Sequence, residues 1–308
     1  MKAQELREKL RGVIAFPITP FNADLSLDIE GLRRNVRLLM QHPIAAIVAA
    51  GGTGELYSLT ATEHLAVVNA IVEEVRGRIP VISGTGFNLP IGVQLAQQAA
   101  RLKVDAILAL PPYFPNADDD ALAEYYAAIG AATSLPLIVY SRDWVNPSPV
   151  WVEKLAAKVP TLAAWKDGQG DIRRYQQIMH RVGDRLLWIG GAGDDCVPGY
   201  YSIGIRVYTS SIATIAPRLS LQLHEVAAGG NTAELKKLMQ RYVIPLYALR
   251  MRRRGYEVTV MKEMMNQAGL AAGPVRPPLP SLRPEEIKEI AAMIKDWEAV
   301  LSLESVAS

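Results

Sequence analysis

The sequence has 308 residues, of which 50% are hydrophobic and 21% are charged, a composition typical of a globular chain that forms one large domain or two small ones. The 33 basic and 31 acidic residues give a formal net charge of +2, which is too small to gather nucleic acid or to bind an anionic membrane surface. Cys196 is the only cysteine, which excludes an intrachain disulfide and gives no sign of an oxidising compartment.

The chain begins with MKAQELREKLRG, which lacks the apolar segment of a signal peptide. The longest apolar runs, such as residues 45–50, are far shorter than the roughly 20 residues of a membrane helix. We therefore expect a cytoplasmic protein that has neither a membrane nor a nucleic-acid partner.

Short apolar runs then alternate with longer segments of helical periodicity. The predicted strands cover residues 12–19, 45–52, 80–86, 105–113, 136–142, 162–168, 186–193 and 206–212. The predicted helices cover residues 28–41, 61–76, 89–102, 118–133, 148–158, 171–182, 196–203 and 217–227. Strands that are apolar on both faces belong to parallel sheets covered by helices. Eight strand–helix units predict an α/β fold, a (β/α)₈ TIM barrel, in preference to an open doubly wound sheet, which usually has fewer strands.

Two of these helices carry clear start signals. Thr60 or Thr62 is the expected cap of the helix at 61–76, because threonine hydroxyls bind free N–H groups of the first turn. Ser148 precedes Pro149, a residue suited to the first helical position.

After residue 230 the strand pattern stops and two helical segments follow, separated by the Pro/Gly-rich connector AGLAAGPVRPPLPSL. We predict a catalytic barrel over residues 1–230 and, over residues 231–308, a C-terminal helical extension packed on the barrel. The basic cluster RMRRRG, residues 250–255, is more typical of a solvated helix face than of a polyanion site.

In barrels of this class, active residues lie at the carboxyl ends of the strands. Lys166 is the only lysine at a predicted strand end, directly after the apolar run LAAW. Because strand residues alternate sides, a Lys166 that points into the barrel would send Trp165 and Asp167 toward the helices. Desolvation there would lower the pKa of the amine and make it a nucleophile. A loop lysine paired with Asp167 explains the same residues equally well.

Two further segments at strand ends could bind or activate a substrate. GGTGE, residues 51–55, follows the second strand, and its backbone N–H groups could hold a small carboxylate; a plain tight turn is the alternative. Tyr140 ends the fifth strand, next to the lysine strand, so its phenol could relay a proton or simply pack at the rim.

Metal chemistry has little support in the sequence. The four histidines are scattered on predicted helices, and the pair Asp194–Asp195 is more typical of a solvated turn than of a cation site. Cys196 is interpreted as a small buried apolar side chain. We expect no metal ion.

Taken together, GVIAFPITPF, GGTGE, PPYF, VYSR and WKDG resemble the dihydrodipicolinate synthase / N-acetylneuraminate lyase superfamily of lysine-dependent barrel lyases and aldolases. The resemblance runs from about residue 12 into the C-terminal helices. It implies that Lys166 forms a Schiff base with a keto acid and that Tyr140 moves protons. It also implies that the turn formed by Gly52, Thr53, Gly54 and Glu55 holds the substrate carboxylate.

Departures from that pattern narrow the expected activity. Gly52 stands where dihydrodipicolinate synthases generally have the first of two threonines, Phe114 replaces their second tyrosine, and SRDWVNPS lacks their arginine spacing. The motifs FPITPF, WKDGQGD and AGPVRPPL are instead similar to the decarboxylating dehydratase branch. That branch converts 5-dehydro-4-deoxy-D-glucarate to 2,5-dioxopentanoate, CO₂ and water.

The resemblance also implies that no cofactor is needed, since the lysine itself is the electron sink, and that the chain forms a homo-oligomer, a dimer or tetramer. Arg142, Ser210 and Ser211 are candidates for binding the distal carboxylate by position alone. Two alternatives stay open. One is a pyruvate-dependent aldolase that uses the same lysine, and the other is a non-catalytic barrel that binds a sugar acid.

Overall fold

The computed structural model describes residues 1–113 and 116–301. Eight parallel strands close into a barrel in chain order, each hydrogen-bonded to the next and the last to the first. The strands are β1 (Gly12–Ala15), β2 (Ala46–Ala49), β3 (Val81–Phe87), β4 (Ala106–Pro112), β5 (Leu137–Ser141), β6 (Leu162–Asp167), β7 (Leu187–Gly190) and β8 (Val207–Ser210). The predicted (β/α)₈ barrel is confirmed, and every observed strand overlaps its predicted run.

Helices precede, separate and follow the strands. In the part of the chain that the structure describes, nine belong to the barrel region: α1 (Ala3–Lys9), α2 (Ile29–Leu39), α3 (Ala61–Val75), α4 (Leu89–Arg101), α5 (Asp119–Ala131), α6 (Pro149–Lys158), α7 (Ile172–Val182), α8 (Val197–Ser202) and α9 (Pro217–Ala228). Four follow it: α10 (Thr232–Leu238), α11 (Ile244–Arg250), α12 (Tyr256–Gln267) and α13 (Pro284–Trp297). A π-helical turn, Met239–Val243, joins α10 to α11.

The caps predicted for two helices, α3 and α6, are confirmed. Thr60, and not Thr62, caps α3: its hydroxyl accepts from the N–H of Glu63, and the Glu63 carboxylate accepts from the N–H of Thr60. This reciprocal capping box satisfies two N–H groups that the first helical turn leaves free. Ser148 caps α6, with Pro149 at its first position.

Helix α1 is an element that the sequence analysis missed. Leu6 and Leu10 are fully buried in a cluster with barrel-interior residues such as Ile14 and Val207. The side chains of α1 therefore extend the apolar core inside the barrel, and a second, larger core lies between the strands and the surrounding helices. Because α1 has only seven residues, its helical periodicity does not stand out within the polar first residues of the sequence.

The C-terminal segment contacts the barrel through the connector that follows α12 and through Lys262 on α12, which lies 2.6 Å from Glu55. Asn35 on α2 donates a side-chain hydrogen bond to the carbonyl of Ala271, 2.6 Å away, and α12 packs against α11 and α13. The boundary at residue 230 stays a prediction. Phe114, expected to replace a family tyrosine, and the last residues of the predicted extension, 302–308, lie outside the described residues. Across the described ranges, none of the helices combines the length and apolar character needed to span a membrane.

Candidate active site

The register of the barrel brings the predicted lysine and tyrosine side by side. Lys166 on β6 is paired directly with Tyr140 on β5, and Asp167 with Ser141. Because the strands are parallel and in register, both side chains leave the sheet at the same level near its carboxyl end. Alternation sends Trp165 the other way, where its ring packs edge-on against Trp151, 6.2 Å between centroids.

The Lys166 amine is held out of water. Lys166 is 4% exposed, and its Nζ donates a hydrogen bond to the carbonyl of Gly191 at 3.0 Å. The same nitrogen lies 3.3 Å from the centroid of the Tyr140 ring and 5.2 Å from that of Phe16. Burial lowers the pKa of this amine, because the charged form loses its hydration.

Asp167 does not supply the counter-ion that the alternative interpretation of Lys166 required. Its carboxylate accepts from the Tyr200 hydroxyl at 2.7 Å and from the backbone N–H groups of Gln169 and Gly170. These bonds hold the carboxylate on the helix side of β6, as alternation predicts for a neighbour of an inward-facing lysine.

A glycine makes room for the lysine. A Cβ built on Gly191 would overlap Cγ of Lys166 and the carbonyl oxygen of Asp167. The bare backbone of Gly191 therefore lets the lysine side chain lie alongside it, and the same residue provides the carbonyl that orients the amine.

Tyr140 is buried, and a cation contacts its hydroxyl. Arg142 Nη1 donates to the phenol oxygen at 3.1 Å, while the Arg142 side chain is 46% exposed and lies 3.6 Å from Asp143. Burial by itself would raise the pKa of the phenol, but the positive charges of Lys166, when it is protonated, and of Arg142 outweigh burial and lower that pKa. A phenol in these surroundings gives up a proton more readily than free tyrosine does.

The glycine-rich turn after β2 divides into two parts. Gly52 and Thr53 line the same cavity as Lys166, and a Cβ added to Gly52 would meet no atom within 4 Å. Gly54 lies against the neighbouring backbone, where its carbonyl accepts from the Thr19 hydroxyl at 2.7 Å. The half formed by Gly52 and Thr53 is therefore open to a ligand, whereas Gly54 anchors the turn to the neighbouring backbone.

Glu55 occupies a different position from the one expected of a substrate-binding residue. Its carboxylate is fully buried and lies 2.6 Å from Nζ of Lys262, itself 1% exposed on α12. Burial raises the pKa of Glu55 and lowers the pKa of Lys262 to about 8. Glu55 thus ties the turn after β2 to the C-terminal helices and does not line the cavity.

Ser210, which ends β8, and Ser211, which follows it, belong to a buried polar network. Asp194 is fully buried and accepts from the Ser210 hydroxyl, the N–H of Ser211 and the Tyr247 hydroxyl, the last at 3.0 Å. Arg250 donates to the Ser211 hydroxyl at 2.9 Å, and its guanidinium lies 4.4 Å from the centroid of the Tyr247 ring.

Three members of this network were missed or misread from sequence. The pair at 194–195 was interpreted as a solvated turn, yet Asp194 is fully buried, and the cluster at 250–255 as a solvated helix face, yet Arg250 is 8% exposed. Tyr247 was not singled out. One usable signal existed: Leu246, Leu249 and Arg250 share one face of α11 at helical spacing, which places the arginine beside buried residues.

These groups converge on one open cavity at the carboxyl end of the barrel, whose empty space, including its solvent-filled mouth, is about 430 Å³. Lys166, Tyr140, Arg142, Gly52, Thr53, Asp194, Ser210, Ser211, Tyr247 and Arg250 line it. Among the described residues, no group of three or more His, Cys, Asp or Glu side chains is placed to hold a metal ion. Cys196 is half-buried in a wider outer pocket, and burial raises the pKa of its thiol to about 12.

The sequence matches known proteins over its whole length. The sequence model of the "Dihydrodipicolinate synthetase family" matches residues 9–297. A probable 5-dehydro-4-deoxyglucarate dehydratase of Bradyrhizobium diazoefficiens is 36% identical over 310 aligned positions, which cover 100% of this chain and 99% of that protein. A protein of the same description from Xanthomonas campestris pv. campestris is 38% identical, covering 92% of this chain and 93% of its own length.

Solved structures share the fold. A dihydrodipicolinate synthase from Oceanobacillus iheyensis superposes with a TM-score of 0.91 at 30% identity, covering 97% of this chain and 100% of that one. A dihydrodipicolinate synthase from Bacillus clausii gives a TM-score of 0.90 at 25% identity, covering 95% of this chain and 99% of that one.

Proposed function

The chain belongs to the dihydrodipicolinate synthetase family, and from that premise we propose that it is a decarboxylating dehydratase. Its substrate is 5-dehydro-4-deoxy-D-glucarate, and its products are 2,5-dioxopentanoate, CO₂ and water. The proposal draws on two full-length relatives described as probable 5-dehydro-4-deoxyglucarate dehydratases and on the chemistry of the cavity.

The observation that carries the proposal is the environment of Lys166. A lysine that is 4% exposed, lies against an aromatic ring and has a lowered pKa is suited to attack a ketone. The cavity around it also has more cationic than anionic side chains, with Arg142 and Arg250 against Asp194. A keto acid with two carboxylates complements that charge.

The first half of the reaction builds the electron sink. The neutral Lys166 amine adds to C5 of the substrate, and loss of water gives an iminium ion, with Tyr140 moving protons to and from the oxygen that leaves. The turn at Gly52 and Thr53 holds the neighbouring C6 carboxylate. The iminium acidifies C4, and removal of a C4 proton gives an enamine that expels the C3 hydroxyl as water. The product is an iminium conjugated with a C3–C4 double bond.

The second half releases CO₂. The electron pair of the C1–C2 bond moves through the conjugated system to the iminium nitrogen, which leaves a dienamine with a hydroxyl on C2. Protonation and tautomerisation convert C2 to an aldehyde, and hydrolysis of the imine frees Lys166. One substrate yields one 2,5-dioxopentanoate, one CO₂ and one water, without a change in oxidation state of the protein.

A pyruvate-dependent aldolase or synthase is the second candidate, favoured by the structural match to proteins described as dihydrodipicolinate synthases. It would use the same lysine and the same turn for a three-carbon keto acid. The activities differ in their products: the dehydratase releases CO₂, an aldolase that cleaves the same keto acid releases pyruvate, and a synthase consumes pyruvate.

Purified protein incubated with 5-dehydro-4-deoxy-D-glucarate tests the proposal. We expect CO₂ and an aldehyde that a 2,5-dioxopentanoate dehydrogenase oxidises, in equal amounts. Borohydride added during turnover should fix a stable adduct on the peptide that contains Lys166. Release of pyruvate without CO₂ would favour the aldolase, and an unmodified Lys166 during turnover would refute the Schiff base.

We also propose that the protein acts in the cytoplasm as a homo-oligomer, a dimer or tetramer. Light scattering coupled to size-exclusion chromatography measures the assembly directly. A mass of 33.7 kDa, that of one chain, would contradict it.

A further inference from the structure

We propose that Arg250, oriented by the Ser211 hydroxyl, is the receptor for the carboxylate at the far end of the substrate, the one that leaves as CO₂. This inference rests on the proposed function and names a specificity-determining residue of the same site. Position in the sequence had suggested Ser210, Ser211 and Arg142 for this role, and the structure points to Arg250 on α11 instead.

Arg250 is a buried cation with unused hydrogen-bonding capacity. It is 8% exposed and lines the cavity, so its charge is largely removed from water. Its Nη1 donates to Ser211, and its Nε is buried without a partner among the described residues. A guanidinium presents five donors in a planar fork that matches the two oxygens of a carboxylate. An unpaired buried charge is costly, and a bound carboxylate removes that cost.

The nearby carboxylate of Asp194 does not already serve as the partner of Arg250. Its oxygens accept from Ser210, Ser211 and Tyr247, and within the described residues no ion pair closer than 4.0 Å joins it to Arg250. Tyr247 separates the two charged groups: its hydroxyl donates to Asp194, and Arg250 stacks on its ring. Asp194 and Asp195 attract the Arg250 guanidinium through space, but Asp194 does not occupy its hydrogen-bonding fork, which stays open to a ligand.

Arg142 is less suited to this role. Its side chain is 46% exposed, it donates to the Tyr140 hydroxyl, and it lies near Asp143, so part of its charge is screened and engaged. It is also next to the reacting centre, two residues beyond the strand position that pairs with Lys166. Arg250 ends α11 and Ser211 directly follows β8, so both lie on elements other than the β5–β6 pair.

Such a receptor would do more than select a dicarboxylate. The C1–C2 bond breaks readily only when it stands perpendicular to the conjugated plane of the iminium, because its electron pair must enter that π system. Holding the C1 carboxylate at a second point, while the imine and the C6 carboxylate fix the other end, sets this angle. The same contact explains why a substrate with an uncharged far end would be bound poorly.

The test measures binding in a background that cannot form the imine. In Lys166→Ala protein, calorimetry compares 5-dehydro-4-deoxy-D-glucarate with pyruvate, which has the carboxylate next to the ketone but no distal one. Adding Arg250→Ala should weaken binding of the dicarboxylate at least about 30-fold, as expected for lost charged hydrogen bonds, and change pyruvate binding less than threefold. The matched control is Arg254→Ala, since Arg254 is an exposed arginine of the same segment.

Two further variants keep the test decisive if Arg250→Ala does not fold. Arg250→Lys keeps the charge but loses the fork, and Ser211→Ala removes the orienting hydroxyl, so each should weaken dicarboxylate binding selectively. An equal loss for both ligands, or no loss, would overturn the assignment. Borohydride trapping is a separate measurement from binding, and it uses protein that keeps Lys166. If neither keto acid labels Lys166 but the Arg250 selectivity persists, the proposed chemistry fails and the carboxylate receptor stands.

Discussion

The buried ion pair between Glu55 and Lys262 offers a sharp test of how the C-terminal helices support the site. The two side chains are 0% and 2% exposed and lie 2.6 Å apart. Lys262 Nζ also donates to the carbonyl of Pro274 and lies 4.0 Å from the centroid of the Phe21 ring. Lys262→Met keeps the length and apolar stem of the side chain but leaves the Glu55 carboxylate buried without its cation.

Removing one partner of a buried pair costs about 3–5 kcal/mol, because the remaining charge stays desolvated. The unfolding entropy of about 2.1 cal/mol/K per residue gives about 0.65 kcal/mol/K for 308 residues. The expected loss in Tm is therefore about 5–8 °C. Burial already raises the pKa of Glu55 above its usual value. Without the Lys262 cation this pKa rises further, so at low pH the folded variant takes up a proton on Glu55 and avoids the buried charge; the loss should be smaller at pH 5 than at pH 7, where wild-type Lys262 is still mostly charged.

Differential scanning calorimetry of Lys262→Met at both pH values measures this loss. Glu55→Gln combined with Lys262→Met removes both charges and should recover most of the lost Tm. Lys237→Met is the surface control, because Lys237 is 74% exposed and forms an ion pair with Glu234 at the surface. Breaking that pair should leave Tm within about 1 °C of wild type.

A Tm of Lys262→Met within about 2 °C of wild type, or a double variant no better than the single one, would refute this account of the pair. The single variant should also raise KM for the keto acid, because Glu55 directly follows the turn that lines the cavity.

The lysine and its immediate neighbours give four further predictions. Lys166→Ala should abolish turnover and borohydride labelling, and labelling of any other residue, read by peptide mass, would contradict the assignment. Tyr140→Phe keeps the ring but loses the proton carrier, so kcat should fall about 10²–10⁴-fold; steady-state kinetics within tenfold of wild type would count against it. Gly191→Ala forces the Lys166 side chain to move and should slow labelling without unfolding the barrel, which circular dichroism checks. Burial lowers the pKa of Lys166, so the rate of imine formation should rise with pH and level off below the usual 10.5; stopped-flow rates still rising through that pH would disprove it.

The sequence alone was enough to predict the barrel, because eight doubly apolar strands alternating with helices have few other ways to bury their faces. It also predicted that Lys166 stands at a strand end and that, if the lysine points into the barrel, Trp165 and Asp167 lie on the opposite side, since alternation along a strand is local; it did not decide between that orientation and a loop lysine paired with Asp167. Strand order and the rule that chemistry lies at carboxyl ends were enough to make Lys166 and Tyr140 candidates on neighbouring strands; their roles as nucleophile and proton carrier came from the family resemblance and stay a prediction.

The tertiary structure decided which distant residues meet at that end. Arg250 belongs to a cluster that looks like a solvated surface, and it enters the cavity only because α11 packs across the loops that follow β7 and β8. Glu55 looks like part of a ligand-binding turn until α12 brings Lys262 to it. The periodicity of a helix or strand indicates which of its faces is buried, but not which element covers that face. Contacts such as Arg250 with the cavity, or Glu55 with Lys262, are therefore decided by how the helices pack on the barrel.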